Sequence, residues 1–273
     1  MTGAPEDGGS LDSFVKAADE RPDSVALLCD LDGTLAPIAS RPEQASVPET
    51  TRERLSACAH KLGLVAVVTG RQALEARGMV GLDSIAYRGN HGLESLDADT
   101  DAVEPHPEIR GIENEAANFV ASLDSDELSD LGIRVEDKGP ITALHWRGSD
   151  REGEAEEVAN SIGDRARAAG LFPRPGRMVL ELRPTDSVDK GVAVDGLLSE
   201  RDDLTHALFV GDDLTDLDAF EALDELVERG DLDTGLKVAV ESGEASASRL
   251  VAAADCCVDG PERVTDLLAR LSG

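Results

Sequence analysis

Two carboxylates two residues apart stand in the run Asp30-Leu31-Asp32-Gly33-Thr34-Leu35, directly after the apolar stretch 24–29 (SVALLC). At a strand end both point the same way, and Gly33 lets the chain turn sharply after them. Like charges so placed are costly unless a cation lies between them, a need that a hard, oxygen-seeking ion such as Mg2+ meets. Asp-Gly also marks ordinary surface turns, but the preceding run is too apolar for an exposed edge. A second acidic group, Gly211-Asp212-Asp213-Leu214-Thr215-Asp216, follows the apolar run 207–210 (ALFV) and reads as metal-ligating. Thr69-Gly70-Arg71 follows 64–68 (LVAVV). Its hydroxyl and backbone N–H groups at a helix start form an anion cradle to which Arg71 adds charge; taken alone, Thr69 is equally an N-cap. Lys190-Gly191 opens a helical stretch after a proline-containing loop, in a chain with only five lysines. A compact ammonium there can neutralise phosphate and carboxylate, although a lone lysine is more often a surface group.

These groups are useful only if the elements behind them bring them together. The short apolar, β-prone runs 24–29, 64–68, 85–87, 207–210 and 237–240 alternate with helix-like stretches at 48–62, 190–198 and 217–227. Such alternation predicts an α/β fold with a Rossmann-like parallel sheet, in which ligands bind beyond the carboxyl ends of the strands. The middle of the chain has a different pattern. An amphipathic helix is expected over 109–123, a strand pair over 133–137 and 141–146 turned at Lys138-Gly139-Pro140, a helix over 152–169 and a strand over 178–182. This predicts an inserted α+β cap domain over 106–183, with the catalytic core made of 1–105 and 184–273. Trp146, the one tryptophan, is expected in core packing.

Charge narrows the classes of function. Asp and Glu total 56 against 26 Lys and Arg, a net charge of −30. No nucleic-acid partner and no anionic membrane surface fit such a chain. The carboxylates run through the whole sequence rather than forming a tail, which points to a halophilic cytosol, where molar salt shortens the Debye length to about 3 Å. No apolar run approaches the roughly 20 residues of a membrane span, and MTGAPEDGGS has no secretory pattern, so a cytoplasmic location is expected. Cys29, Cys58, Cys256 and Cys257 lack zinc-site spacing and read as structural thiols. A monomer is the favoured assembly.

The four groups in this order, D-x-D-G-T, T-G-R, K-G and G-D-D-x-T-D, resemble the haloacid dehalogenase superfamily over nearly the whole chain. The resemblance implies that Asp30 is the nucleophile, forming an aspartyl phosphate, and that Asp32 is general acid and then base, with a pKa above the free value of about 3.9. It also implies Mg2+ held by Asp30, the Asp32 backbone carbonyl and Asp212, with Asp213 assisting through water, and the phosphoryl group held by Thr69 and Lys190. Finer motifs are similar to those of trehalose-6-phosphate phosphatases: DLDGTLAPI at 30–38, Gly89-Asn90-His91-Gly92, Val135-Glu136-Asp137-Lys138, His145-Trp146-Arg147, Glu181-Leu182-Arg183-Pro184 and GDDLTDLDAF at 211–220, where Leu217 replaces the usual acid. That likeness implies a sugar-phosphate substrate contacted by Gly70, Arg71, His91 and the cap residues Glu136, Lys138 and Glu181, with the cap closing during the first step. Arg147 and His145 are as well explained by structural roles. A phosphatase for sucrose phosphate or for glucosyl- or mannosyl-glycerate phosphate remains open, as does a silent sugar-phosphate-binding module.

Overall fold

A computed structural model describes residues 8–39, 44–199, 201–241 and 247–273. In chain order the helices are α1 (Gly8–Glu20), α2 (Glu49–Lys61), α3 (Ala73–Val80), α4 (Glu115–Ala121), α5 (Ser125–Asp130), α6 (Glu152–Ala168), α7 (Lys190–Ser199), α8 (Asp216–Arg229), α9 (Ala247–Ala253) and α10 (Gly260–Ser272). The strands are β1 (Val25–Cys29), β2 (Leu64–Val68), β3 (Ala86–Gly89), β4 (Glu94–Leu96), β5 (Glu104–Pro105), β6 (Arg134–Asp137), β7 (Thr142–His145), β8 (Phe172–Gly176), β9 (Val179–Arg183), β10 (His206–Gly211), β11 (Thr234–Glu241) and β12 (Cys256–Asp259). The chain divides into two compact units, one running to Glu104 and resuming at Val188, the other Pro105–Ser187. The return crossing therefore falls after Ser187, where the sequence suggested 183.

In the first unit the strand order is β12-β11-β10-β1-β2-β3-β4-β5. Strands β12 through β3 pair in parallel, and β4 runs antiparallel to β3. The chain winds outward from β1 through β2 to β3 on one side and from β10 through β11 to β12 on the other. The direction of winding thus reverses between β1 and β10, where an open sheet offers a crevice beyond its carboxyl ends. Every residue of β1 is buried, as expected of a central strand covered on both faces, and its side chains alternate between two cores. Val25, Leu27 and Cys29 join Phe14, Leu55, Cys58, Val264 and Leu268 on one face. Ala26 and Leu28 join Val194, Leu197, Phe220 and Leu223 on the other. Each large aliphatic side chain so buried contributes about 1.5–3 kcal/mol.

The second unit carries the antiparallel sheet β6-β7-β9-β8. One face, bearing Leu144, Leu180 and Leu182, meets Ala155, Ala159, Ile162 and Ala166 of α6 and residues of α4 and α5 in a separate core. Trp146 lies in that core. Two features depart from the sequence expectation. The helix expected over 109–123 is a short 3-10 turn at Pro107–Ile109 followed by α4, because Gly111 takes φ 89°, a left-handed value that interrupts helix. The sheet also gains β8 (FPRPG), whose two prolines are tolerated because it is an edge strand.

Candidate active site

The carboxyl ends of β1 and β10 place Asp30 and Asp212 at the reversal point of the sheet. Asp30 continues the β1 ladder, its N–H donating to Val210 O at 2.9 Å. Gly33 turns the chain back at φ 84°, and a side chain there would lie 2.0 Å from Asp212 Oδ2, so only glycine leaves room for that carboxylate. Lys190, the first residue of α7, is buried and donates to Asp30 Oδ1 at 2.8 Å and to Asp216 Oδ1 at 2.6 Å. Asp216 Oδ2 accepts from the backbone N–H groups of Asp212 and Asp213, both at 2.9 Å. Asp216 thereby fixes both the lysine and the acidic turn. The sequence reading placed it only within the acidic group read as metal-ligating and gave it no role of its own toward Lys190.

Carboxylate oxygens of Asp30, Asp212 and Asp216 lie within 4.8 Å of one another. Burial pushes the Asp30 carboxyl up to about 7 against the pull of Lys190. Burial, with Asp30 and Asp216 close by, pushes Asp212 up to about 8. Burial alone would lower Lys190, but Asp216 and Asp30 outweigh it and hold the ammonium above its ordinary value. Asp212 Oδ1 is buried with no hydrogen-bond partner. With both Asp216 oxygens spent on Lys190 and the backbone, Asp30 and Asp212 are the pair left to hold a cation. Hard oxygen donors and an unpartnered buried oxygen suit a divalent ion such as Mg2+. Asp213 is exposed and turns onto Leu214 N at 2.6 Å.

The Thr69–Arg71 loop follows β2. Thr69 is buried, and its Oγ1 accepts from Arg71 N at 3.2 Å. The Gly89-Asn90-His91-Gly92 turn packs against this loop: Asn90 N donates to Arg71 O at 2.7 Å and His91 N to Thr69 O at 2.9 Å. His91 adopts φ 58°, and a side chain at position 70 would lie 2.8 Å from its Nε2, so Gly70 makes space for the ring. Glu94, which sequence reasoning did not single out, is buried and accepts from Ala73 N at 2.9 Å. Arg71 was expected to add charge to the cradle. Instead its Nε and Nη2 form a two-bond fork on Asp32, at 2.6 and 2.8 Å, and Nη1 donates to Glu75.

In the second unit, Ala143 pairs with both Glu136 and Glu181, and Glu181 pairs with Arg174, so these residues form one row across the sheet face opposite Leu144 and Leu180. Lys138 Nζ donates to Glu181 Oε1 at 3.1 Å, Arg183 Nη2 to Glu181 Oε2 at 3.0 Å, and His145 Nε2 lies 2.7 Å from Glu136 Oε2. Glu136, Lys138 and Glu181 thus share one polar patch.

A parallel sheet with an aspartate-bearing loop after its central strand, acids after the neighbouring strand and a lysine at a helix start defines a fold of the haloacid dehalogenase type. The solved structure of a haloacid dehalogenase-like hydrolase from Bacteroides thetaiotaomicron matches it with TM-score 0.59 at 16% identity, over 90% of this chain and 98% of that one. The trehalose-6-phosphate phosphatase C-terminal domain of C. albicans matches with TM-score 0.77 at 21% identity, over 100% and 98% of the two chains. Residues 28–254 match the family model for trehalose-phosphatase, and the chain belongs to that family. A trehalose-phosphate phosphatase of Mycobacterium marinum is 31% identical over 267 residues, 92% of this chain. The chain spans 64% of that relative's length, and 15% and 57% of two other curated relatives.

Proposed function

We propose that this chain is a Mg2+-dependent phosphatase that hydrolyses trehalose 6-phosphate to trehalose and inorganic phosphate through an aspartyl phosphate on Asp30. The observation that carries the reading is the buried Lys190 bridging Asp30 and Asp216 beside the unpartnered Asp212 oxygen, in a chain of the trehalose-phosphatase family. An anion can attack an anionic phosphoryl group only where charge is offset, and catalysis of phosphoryl transfer is mostly positioning and neutralisation. Asp30 attacks phosphorus and the bond to the sugar oxygen breaks, Asp32 giving that oxygen its proton. Water then attacks phosphorus, the bond to Asp30 breaks, and Asp32 takes the water's proton. Lys190 offsets the charge on Asp30 and on the phosphoryl oxygens, and Thr69 adds a hydroxyl donor. Asp30, the Asp32 backbone carbonyl and Asp212 would hold Mg2+, with Asp213 assisting through water, and the ion would supply further charge neutralisation at the phosphoryl group.

Glu136, Lys138 and Glu181 are proposed to take the sugar hydroxyls, since carboxylates and an ammonium pair well with neighbouring hydroxyls; their sharing of one sheet face supports this. His91 and Gly70 complete the substrate set beside Thr69. The charge of −30 supports a saline working environment. Phosphate release from trehalose 6-phosphate and Mg2+ tests the reading, with sucrose phosphate and glucosyl-glycerate phosphate as competitors. Release is expected with trehalose 6-phosphate and absent in Asp30→Asn; full activity of that variant refutes the mechanism.

A further inference from the structure

We propose that Arg71 is a positioning residue that fixes the acid/base Asp32, and not a ligand of the transferring phosphoryl group. This rests on the phosphatase reading above. The guanidinium presents its Nε and Nη2 to the two oxygens of Asp32 at 2.6 and 2.8 Å, and its remaining Nη1 goes to Glu75. Two parallel N–H···O bonds from a planar fork fix the plane of a carboxylate as well as its place, which a lysine cannot do. The Arg71 side chain is 12% exposed and that of Asp32 is 38% exposed. The fork is therefore largely screened from water, while the carboxylate it holds remains open to a substrate. Each Asp32 oxygen keeps a second lone-pair site through which a proton can pass.

The backbone under Arg71 is pinned as well. Its N–H donates to Thr69 Oγ1, its carbonyl accepts from Asn90 N, and Glu94 holds Ala73 N two residues on. Glu75, one helical turn after Arg71, accepts the outer edge of the guanidinium. The arginine is thus tied at its backbone and at its head, and it holds Asp32 in place for the reaction. Turning the fork toward a phosphoryl group would break two charge-assisted hydrogen bonds and leave the acid unheld.

The consequence concerns the leaving group. In the first half-reaction the sugar oxygen departs as a poor leaving group and needs the Asp32 proton, whereas nitrophenolate departs without one. In the second half-reaction water must lose a proton to Asp32 whichever substrate was used. Steady-state and pre-steady-state kinetics of wild type, Arg71→Ala and Arg71→Lys on trehalose 6-phosphate and p-nitrophenyl phosphate separate these steps. For both variants kcat/KM on the sugar phosphate should fall about 100-fold or more, the typical worth of general acid catalysis, and on the aryl phosphate by less than about tenfold. The variants should also show a burst of nitrophenol as phosphoenzyme hydrolysis becomes limiting, with inhibition by inorganic phosphate unchanged. Equal losses of kcat/KM on both substrates together with weaker inhibition by phosphate would overturn the proposal and make Arg71 a phosphoryl ligand. No loss on either substrate would overturn it too. Should Arg71→Ala melt early, Arg71→Lys, which keeps the charge and loses the fork, carries the comparison. A wild type active on p-nitrophenyl phosphate and another alkyl phosphate, but inert on trehalose 6-phosphate, refutes the substrate assignment alone; the Arg71 comparison then uses that alkyl phosphate.

Discussion

Lys190 brings a positive charge into a place almost without water, where Asp30 and Asp216 pair with it. Asp216 is fully buried and accepts from Lys190 and from two backbone N–H groups. Its loss leaves Asp30 as the partner of the buried ammonium and frees two backbone donors, and breaking a buried pair from one side typically costs about 3–5 kcal/mol. Asp216→Ala should lose stability on that scale in urea denaturation, and Asp216→Asn, which keeps an acceptor, should lose less. A variant as stable as wild type would show that the pair is not a structural anchor. The sequence made Lys190 stand out because lysine is rare in this chain. It could not rank three nearby aspartates, since burial distinguishes Asp216 from the exposed Asp213 and burial is a property of the folded turn.

The hairpin from β3 into β4 shows how an element of few residues serves a neighbouring loop. Gly89 pairs with Glu94 across it, and Asn90 and His91 adopt φ values of 49° and 58°. Gln72 gives α3 no side-chain cap, and Glu94 supplies the acceptor for Ala73 N in its place. Burial raises the Glu94 carboxyl above its ordinary 4.5, against the hydrogen bonds from Ala73 and Asn90. A carboxyl whose folded pKa is raised contributes stability that is fully present below pH 4.5 and is lost as pH climbs through the raised value. The melting temperature of wild type minus that of Glu94→Gln should therefore shrink as pH rises from 4.5. A difference that is constant with pH would refute the assignment. At this scale the central strands were readable, because a strand buried on both faces must be a continuous apolar run, as 25–29 and 64–68 are. The strands β4 and β8 were not: one has three residues, and the other carries prolines that argue against any strand. A left-handed Gly111 likewise leaves no mark in the apolar spacing that suggested a single helix there.

For the molecule as a whole, the net charge of −30 sets the largest long-range term. Self-repulsion opposes the compact state, and raising salt from 0.1 M to 1 M shortens the Debye length from about 10 Å to about 3 Å. The melting temperature in KCl should rise across that range; a flat or falling curve would remove the proposed saline setting. KCl is the appropriate salt because sulfate stabilises most proteins by exclusion from their surface. Among the described residues no helix is long and apolar enough to cross a membrane. Pro105–Ser187 forms a unit whose buried side chains, from Ala116 to Leu182, make a core of their own. Such an insertion divides the load that mutation places on the chain. Changes at Glu136, Lys138 or Glu181 act on a sheet whose packing is settled within the insert, while Asp30, Lys190 and Asp216 are held by packing settled in the other unit. On the function proposed above, preference for a sugar and the power to cleave a phosphate ester would then be separately heritable traits, and a lineage could alter the first by drift and selection without endangering the second.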